Sequence, residues 1–432
     1  MAKESKQLST ERPKGTRDVF GSDYYQMQGL FEKAQEIALY YGFDPIDTPI
    51  IEHQDIWMRS TGESDLVTRE MLTLSSRGGE RLALRPERTT GVMRAYLEMN
   101  MKAWSQPIML YHYGPTFRYD KISHGHYRQF HSFDLDIIGS DAPITDAIII
   151  HTTLRILAEA GAQHLIVQIN SIGDADSRKD HEKELRAFYK KNSAKLSASD
   201  REHIKTNVFA VLDSKDASTV ELNQSAPKSM DFLSTSAKRH FKGVLEYLDQ
   251  LNISYNINPI LARGLEYYSH TIFEIHDTYI NSETGQTESY ALAGGGRYDY
   301  LAQSLGHKKE IPAVGVGIGI ERVLHATWWK NLQPRIIKQP KVYFIQVGYE
   351  AKLRSLGVVE DLRKAKIPVM QALSRDKLSS QLISAEKSGA EFIIILGQRE
   401  ALDSTIIVRD VSTRSQKTIK MEHLIETLKK IK

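Results

Sequence analysis

Residues Tyr111 to Gly139 read YHYGPTFRYDKISHGHYRQFHSFDLDIIG, a strand, a polar loop and a second strand. Strand side chains point alternately to two faces. In the second strand Phe133, Leu135 and Ile137 share one face, while Phe130, Ser132, Asp134 and Asp136 share the other. The apolar face is a core face. Two carboxylates, a hydroxyl and an aromatic ring do not make a core. The spacing therefore predicts an acidic, aromatic-edged floor held open to a ligand, with a solvated edge face as the plain alternative. Arg118 and Asp120 lead into the loop, and Lys121, His124, His126 and Arg128 surround it. A cationic loop beside an acidic floor suits a substrate carrying both phosphates and a positive group.

Working outward, the 432-residue chain has room for roughly two to four domains. Its 57 Lys and Arg nearly balance 54 Asp and Glu, for a net charge of +3, so any nucleic-acid contact must come from local patches. There are no cysteines, which excludes disulfides, thiolate metal sites and a cysteine nucleophile. No apolar run approaches the ~18 residues of a membrane span. The opening MAKESKQLSTERPKG has no apolar signal-peptide core, so a soluble, cytoplasmic protein is expected.

Before the central stretch, apolar positions from Met27 to Tyr41 follow a helical face. FDPIDTPIIE (43–52) then carries two prolines that cannot donate to a ladder, which places it at a sheet edge or an interface. Residues 70–99 read as a hairpin around Gly78-Gly79 and a helix from about Thr89. Glu87 stands just before that helix, where the dipole favours a carboxylate; it is either a cap or an acceptor for an ammonium group.

Beyond the central stretch come a helix from Pro143 to Ala160, a strand at 164–170, and a charged, helical segment at 174–236 that reads as an insertion. INPILARGLEYYSHTIFEI (257–275) returns to the sheet, with Gly264 expected to bend it so that Arg263 and Tyr268 reach one site. Gly294 to Gly296 would leave backbone bare for a ligand to lie against. Gly315, Gly317 and Gly319 alternate with aliphatics in a strand pressed against something flat, running into a helix with Glu321 and Arg322. This glycine spacing is not a dinucleotide fingerprint. KNLQPRIIKQP (330–340) reads as a linker, and beyond it strands alternate with helices, as in a small sheet covered on both faces.

Placed together, these pieces resemble the histidyl-tRNA synthetases, members of the class II aminoacyl-tRNA synthetases, over nearly the whole chain. The resemblance rests on FDPIDTPIIE, GPTFRYD with YRQF, GVGIGIERV, RGLEYYSHT and GGGRYD. RGLEYY between the second and third motifs is its specific part. The resemblance implies an α+β catalytic domain with a mainly antiparallel sheet over residues 1–329, including the helical insertion 174–236. It further implies a linker at 330–340 and an α/β anticodon-binding domain at 341–432. A homodimer is implied, as are two reactions: ATP and histidine form histidyl-adenylate, and the histidyl group then passes to tRNA-His.

By the same resemblance, Arg118 and Arg263 are the catalytic pair at the α-phosphate. Arg322 meets the outer phosphates and the adenine face, Asp120 and Phe130 hold the adenine, and His126 belongs to the ATP-contacting loop. Histidine would be held by Glu87 and Thr89 at its α-amino group, by Ser132, and by Asp136 at its imidazole N–H, with Arg263, Tyr267, Tyr268 and Tyr298 around it. Mg2+ would bridge the phosphates of ATP, and no zinc-spaced His/Cys cluster is present. Four positions depart from the usual pattern: Arg88 for Gly, Ser132 for Gln, His126 for Arg and Asp136 for Glu. A catalytically inactive histidine-sensing paralogue and an RNA-binding module are the alternatives for such a chain.

Overall fold

Phe133 and Leu135 are fully buried and Ile137 nearly so, so the apolar face assigned by alternation does line the core of the larger unit. The computed structural model describes residues 10–62, 64–122, 125–280, 287–326, 332, 334–335, 340–371, 373 and 377–430. His124 and most of the expected 330–340 linker lie outside the described residues. The chain divides into two units, Met1–Pro334 and Arg335–Lys432.

In the first unit the strands are β1 (Asp44–Pro45), β2 (Ile51–His53), β3 (Thr73–Ser75), β4 (Arg81–Leu84), β5 (Ile108–Phe117), β6 (Gln129–Ile138), β7 (Leu165–Ser171), β8 (Tyr255–Ile257), β9 (Ser269–Ile280), β10 (Thr287–Arg297) and β11 (Ala313–Gly319). Eight of them form one sheet in the order β1-β5-β6-β11-β10-β9-β7-β8. It is antiparallel except at its two edges, where β1 runs parallel to β5 and β8 to β7. The proline-bearing strand is thus an edge strand, as its missing donors require. One face packs on the helices Ser22–Tyr40, Pro143–Ala160 and Thr235–Gln250 through Leu30, Phe31, Ile149, Ile150, Phe241 and Val244. The opposite face carries Ser132, Asp134 and Asp136.

Strands β10 and β11 correct the reading of their glycines. Gly315 and Gly317 of β11 pair with Asp136 and Asp134 of β6, and a Cβ at either glycine would collide with the partner carboxylate. They make room for the acidic floor itself. In the β10 triplet, Gly295 and Gly296 press against the backbones of β11 and β9, and only Gly294 opens a space, which the Arg263 guanidinium takes. The 258–268 segment is a second correction. It is irregular between β8 and β9 and does not continue the strand. Gly264 has open space around it, so no bend there depends on its lacking a side chain.

The 174–236 segment folds as helices Ala175–Lys191, Ala198–His203 and Ala217–Asn223 around a small core of its own, with Leu185, Tyr189, Val208 and Val211 at its centre. In the second unit, β12 (Val342–Gln346), β13 (Val369–Gln371), β14 (Phe392–Leu396), β15 (Thr405–Asp410) and β16 (Gln416–Lys420) form a sheet in the order β13-β12-β14-β15-β16. Val342 and Phe344 enter one apolar cluster, Tyr343 and Ile345 another. Alternation along β12 therefore feeds a core on each face. Among the described residues no helix is long and apolar enough to cross a membrane.

Candidate active site

The acidic floor is paired from within the protein, which corrects the expectation of open carboxylates. Asp136 is buried; its Oδ1 accepts from the Tyr298 hydroxyl at 2.5 Å and its Oδ2 lies 2.8 Å from His112 Nε2. Asp134 accepts from the Ser132 hydroxyl at 2.7 Å and lies 3.5 Å from Arg88 Nε. Burial pushes the Asp134 carboxyl up, with His112 and Arg88 opposing. Arg88 is itself buried and donates to His112 Nδ1 and to the Tyr113 carbonyl, each at 2.8 Å. His112 was not singled out from the sequence. Alternation along β5 was the available signal, since it places His112 directly across from Asp134 once the hairpin register is known.

Glu87 stands ahead of the Thr89–Glu98 helix and does act as a cap: the Thr90 N–H reaches both its oxygens, at 3.1 and 3.2 Å. The Trp57 indole N–H adds a second donor at 2.9 Å. Burial pushes this carboxyl up, against those hydrogen bonds and the Arg118 charge. Thr89 is the half-buried first residue of the helix. Arg118 donates from Nε to the Pro86 carbonyl at 2.6 Å, and its guanidinium lies 5.7 Å from the centre of the Phe130 ring. Asp120 is exposed and accepts from the Lys121 backbone N–H at 2.5 Å.

Arg263 pairs with Glu274 at 2.9 Å and sits 5.7 Å from the Tyr268 ring centre. Burial works against its charge, but Tyr268 and Glu274 outweigh it and raise its pKa. Tyr267 packs on Tyr268 and Tyr298, with ring centres 4.9 and 6.0 Å away. Burial pushes the Tyr267 and Tyr298 hydroxyls well up, so both stay protonated donors. Arg322, just after β11, donates to the Ala291 carbonyl and meets His126 Nε2. Its neighbour Glu321 is buried and spent on structure: it accepts the His131 N–H at 2.8 Å and faces His131 Nδ1 at 2.9 Å.

The insertion reaches this region through Arg178, which donates to the carbonyls of Glu266 and Tyr268, the latter at 3.0 Å. Two connected groups emerge. Asp136, Tyr298, Tyr267, Tyr268 and Arg263 form one, and Glu87, Arg118 and Phe130 lie along the other, with Arg322 and His126 meeting at the far end of β6 and β11. Among the described residues no group of three or more His, Asp or Glu side chains could hold a metal ion.

Residues 15–323 match the family model for histidyl-tRNA synthetase, and residues 341–431 match that for an anticodon binding domain. The histidine–tRNA ligase of Bacillus velezensis is 35% identical over 96% of this chain and 98% of its own length. That of Desulforamulus reducens is 33% identical over 98% of this chain and 99% of its own. The crystal structure of apo S. aureus histidyl-tRNA synthetase superposes with a TM-score of 0.78 at 30% identity, covering 98% of this chain and 100% of that one. Sequence and fold agree along the whole length, and the chain belongs to the histidyl-tRNA synthetase family.

Proposed function

We propose that this chain is a histidine–tRNA ligase whose first reaction is run by Arg118, Arg263 and Arg322. The histidine carboxylate attacks the α-phosphorus of ATP, the bond to pyrophosphate breaks, and histidyl-adenylate forms. A ribose hydroxyl at the 3′ end of tRNA-His then attacks the acyl carbon and releases AMP. In-line attack at phosphorus asks a protein for positioning and charge neutralisation. The carrying observation is that two cations meet the same strand, Arg263 in the space at Gly294 and Arg322 at the Ala291 carbonyl of β10, with the charges of Arg263 and Arg118 both acting on Arg322. A guanidinium group with two further cations bearing on it suits a polyanion.

In this reading Arg118 and Arg263 flank the α-phosphate, and Arg322 and His126 take the outer phosphates. Asp120 and Phe130 take the adenine. Glu87 and Thr89 receive the α-ammonium group, Ser132 borders it, and Asp136 reads the imidazole N–H beside Tyr267, Tyr268 and Tyr298. A site that satisfies a polar side chain rejects apolar isosteres, which would leave its buried groups unpaired. Mg2+ would be carried on the phosphates of ATP, the reaction's own substrate, and would supply further neutralisation of their charge. Residues 1–329 form the catalytic domain, 174–236 reach toward the tRNA acceptor arm, and 341–432 take the anticodon. The protein works as a cytoplasmic homodimer.

Histidine-dependent ATP–pyrophosphate exchange, with the other amino acids as controls and Arg263→Ala alongside, tests this. Exchange specific to histidine and lost in the variant is expected. Absence of exchange in a folded chain that still binds histidine would hand the site to a sensing role.

A further inference from the structure

Arg88 and His112 stand outside the residues given roles above, yet both are buried and one touches Asp136. Their hydrogen bonds have a direction. Arginine has donors only, so His112 Nδ1, 2.8 Å from Arg88 Nε, must accept. The ring proton then sits on Nε2, which faces Asp136 Oδ2 at 2.8 Å. A cationic ring would set two N–H groups against each other at Nδ1. Arg88 is fixed in turn by the Tyr113 carbonyl and by Asp134, and Asp134 by the Ser132 hydroxyl. Two glycines make the space, since a Cβ at Gly114 would press on Arg88 Nη1 and one at Gly317 on Asp134.

The consequence falls on Asp136. It receives one donor on each oxygen, His112 on Oδ2 and Tyr298 on Oδ1. Held from both sides it cannot rotate, and each oxygen keeps a lone pair for a further donor. With the proton on His112 Nδ1 instead, Nε2 would present a lone pair to the carboxylate. Asp136 would then have to swing away or take up a proton, and a protonated Asp136 would donate to a substrate ring nitrogen instead of accepting from it.

We propose that Arg88 and His112 are positioning residues that fix Asp136 as an acceptor-only reader of an imidazole N–H, and so set the selectivity of the site for histidine. This rests on the reading of Asp136 as the imidazole partner. It goes beyond it by assigning the selectivity to a relay through β5 that ends at Arg88.

The test measures the KM for histidine and the KM for ATP separately in pyrophosphate exchange, for wild type, His112→Phe, His112→Gln and Arg88→Met. His112→Phe is expected to raise the histidine KM about 10- to 100-fold, the usual scale for an outer-shell orienting partner, and to leave the ATP KM unchanged. His112→Gln, whose amide N–H can stand in for Nε2–H, is expected to regain most of the loss. Nitrogen-15 spectra of the full-length, histidine-labelled chain, with His112 assigned by its absence in His112→Gln, should show Nδ1 unprotonated in wild type and a tautomer mixture in Arg88→Met. An unchanged histidine KM in His112→Phe, or a protonated Nδ1 in wild type, overturns the inference while wild-type exchange leaves the ligase reading standing. A wild-type chain without histidine-dependent exchange removes both. If His112→Phe does not fold, the tautomer in wild type and the Gln variant still decide.

Discussion

The Arg263 guanidinium lies in the space that Gly294 leaves by having no side chain. A Cβ at 294 would collide with the far end of Arg263 and with no backbone atom among its three nearest neighbours. A flexible side chain can yield, so Gly294→Ala should fold with nearly the wild-type melting temperature while displacing Arg263. Exchange should then fall by about 10²- to 10³-fold, the scale for losing one preorganised charge at a transition state. Because both changes remove the same contact, Gly294→Ala combined with Arg263→Ala should be little worse than Arg263→Ala alone. A Gly294→Ala enzyme with wild-type kcat would place Arg263 outside the reaction.

Glu87 serves stability and binding in opposite directions. Burial pushes its carboxyl up, so its folded pKa exceeds the unfolded value of about 4.3. The sign follows from linkage: its contribution to stability is greatest below the unfolded value and is lost as pH rises through the folded one. Glu87→Gln keeps an oxygen for the Trp57 and Thr90 donors and removes the buried charge. At neutral pH it should melt at or above the wild-type temperature, and its margin over wild type should shrink as the pH drops toward 4 (about the unfolded value). Its histidine KM should rise about 10- to 100-fold, from losing a charged hydrogen bond worth about 1.5–3 kcal/mol. Unchanged histidine affinity by calorimetry would leave Glu87 a cap and nothing more.

What could be read in advance was whatever repeats locally. Period-two alternation placed Phe133, Leu135 and Ile137 inward because β6 lies in a sheet with one covered face, and Glu87 stood where a helix start accepts a carboxylate. The 258–268 segment misled for the same reason. Its scattered apolar residues imitate a strand, but its backbone is held from outside, by Arg178 at Tyr268 and by the Asn170 amide at Leu261 (3.0 Å). Those partners lie some ninety residues away, and no local pattern contains them. Asp134 was legible as part of the acidic floor and Arg88 as an unusual residue before the helix, but not what joins them: His112 looks like a lone polar residue until the β5–β6 register sets it opposite Asp134.

Asp174 should be a stability residue with a pH signature. It caps the Ala175–Lys191 helix, accepting from the Ser177 N–H at 3.0 Å and from the hydroxyls of Ser177 and Ser234 at 2.7 and 2.5 Å. Burial acts to raise its carboxyl, but these hydrogen bonds, Ser234 first, hold it down at about 2. Its stabilisation is therefore present above the unfolded value of about 3.9 and is lost as pH falls toward 2. Asp174→Ala should cost about 1 kcal/mol at neutral pH, with the gap in melting temperature closing in acid. A gap that stays constant across that range would mean the carboxylate charge contributes nothing.

Arg178 ties the insertion to the loop that carries Arg263, Tyr267 and Tyr268. It leaves the first insertion helix, passes 5.0 Å from the Phe209 ring centre, and donates to the carbonyls of Glu266 and Tyr268. Burial lowers its pKa, with Glu266 and Glu182 opposing. It is a donor to two backbone carbonyls that no ladder satisfies, and removing it would leave buried polar groups unmet. Arg178→Ala should speed amide exchange across residues 258–268 and raise the histidine KM about tenfold or more, as expected from losing charged hydrogen bonds of about 1.5–3 kcal/mol. Arg178→Lys should recover part of this, since an ammonium can reach one carbonyl but lacks the two-pronged fork. The ATP KM should move less, because Arg118 and Arg322 are set by β5 and the Ile320–His325 helix and not by this loop. Normal protection across 258–268 in Arg178→Ala, together with an unchanged histidine KM, would show that the insertion touches the loop without holding it.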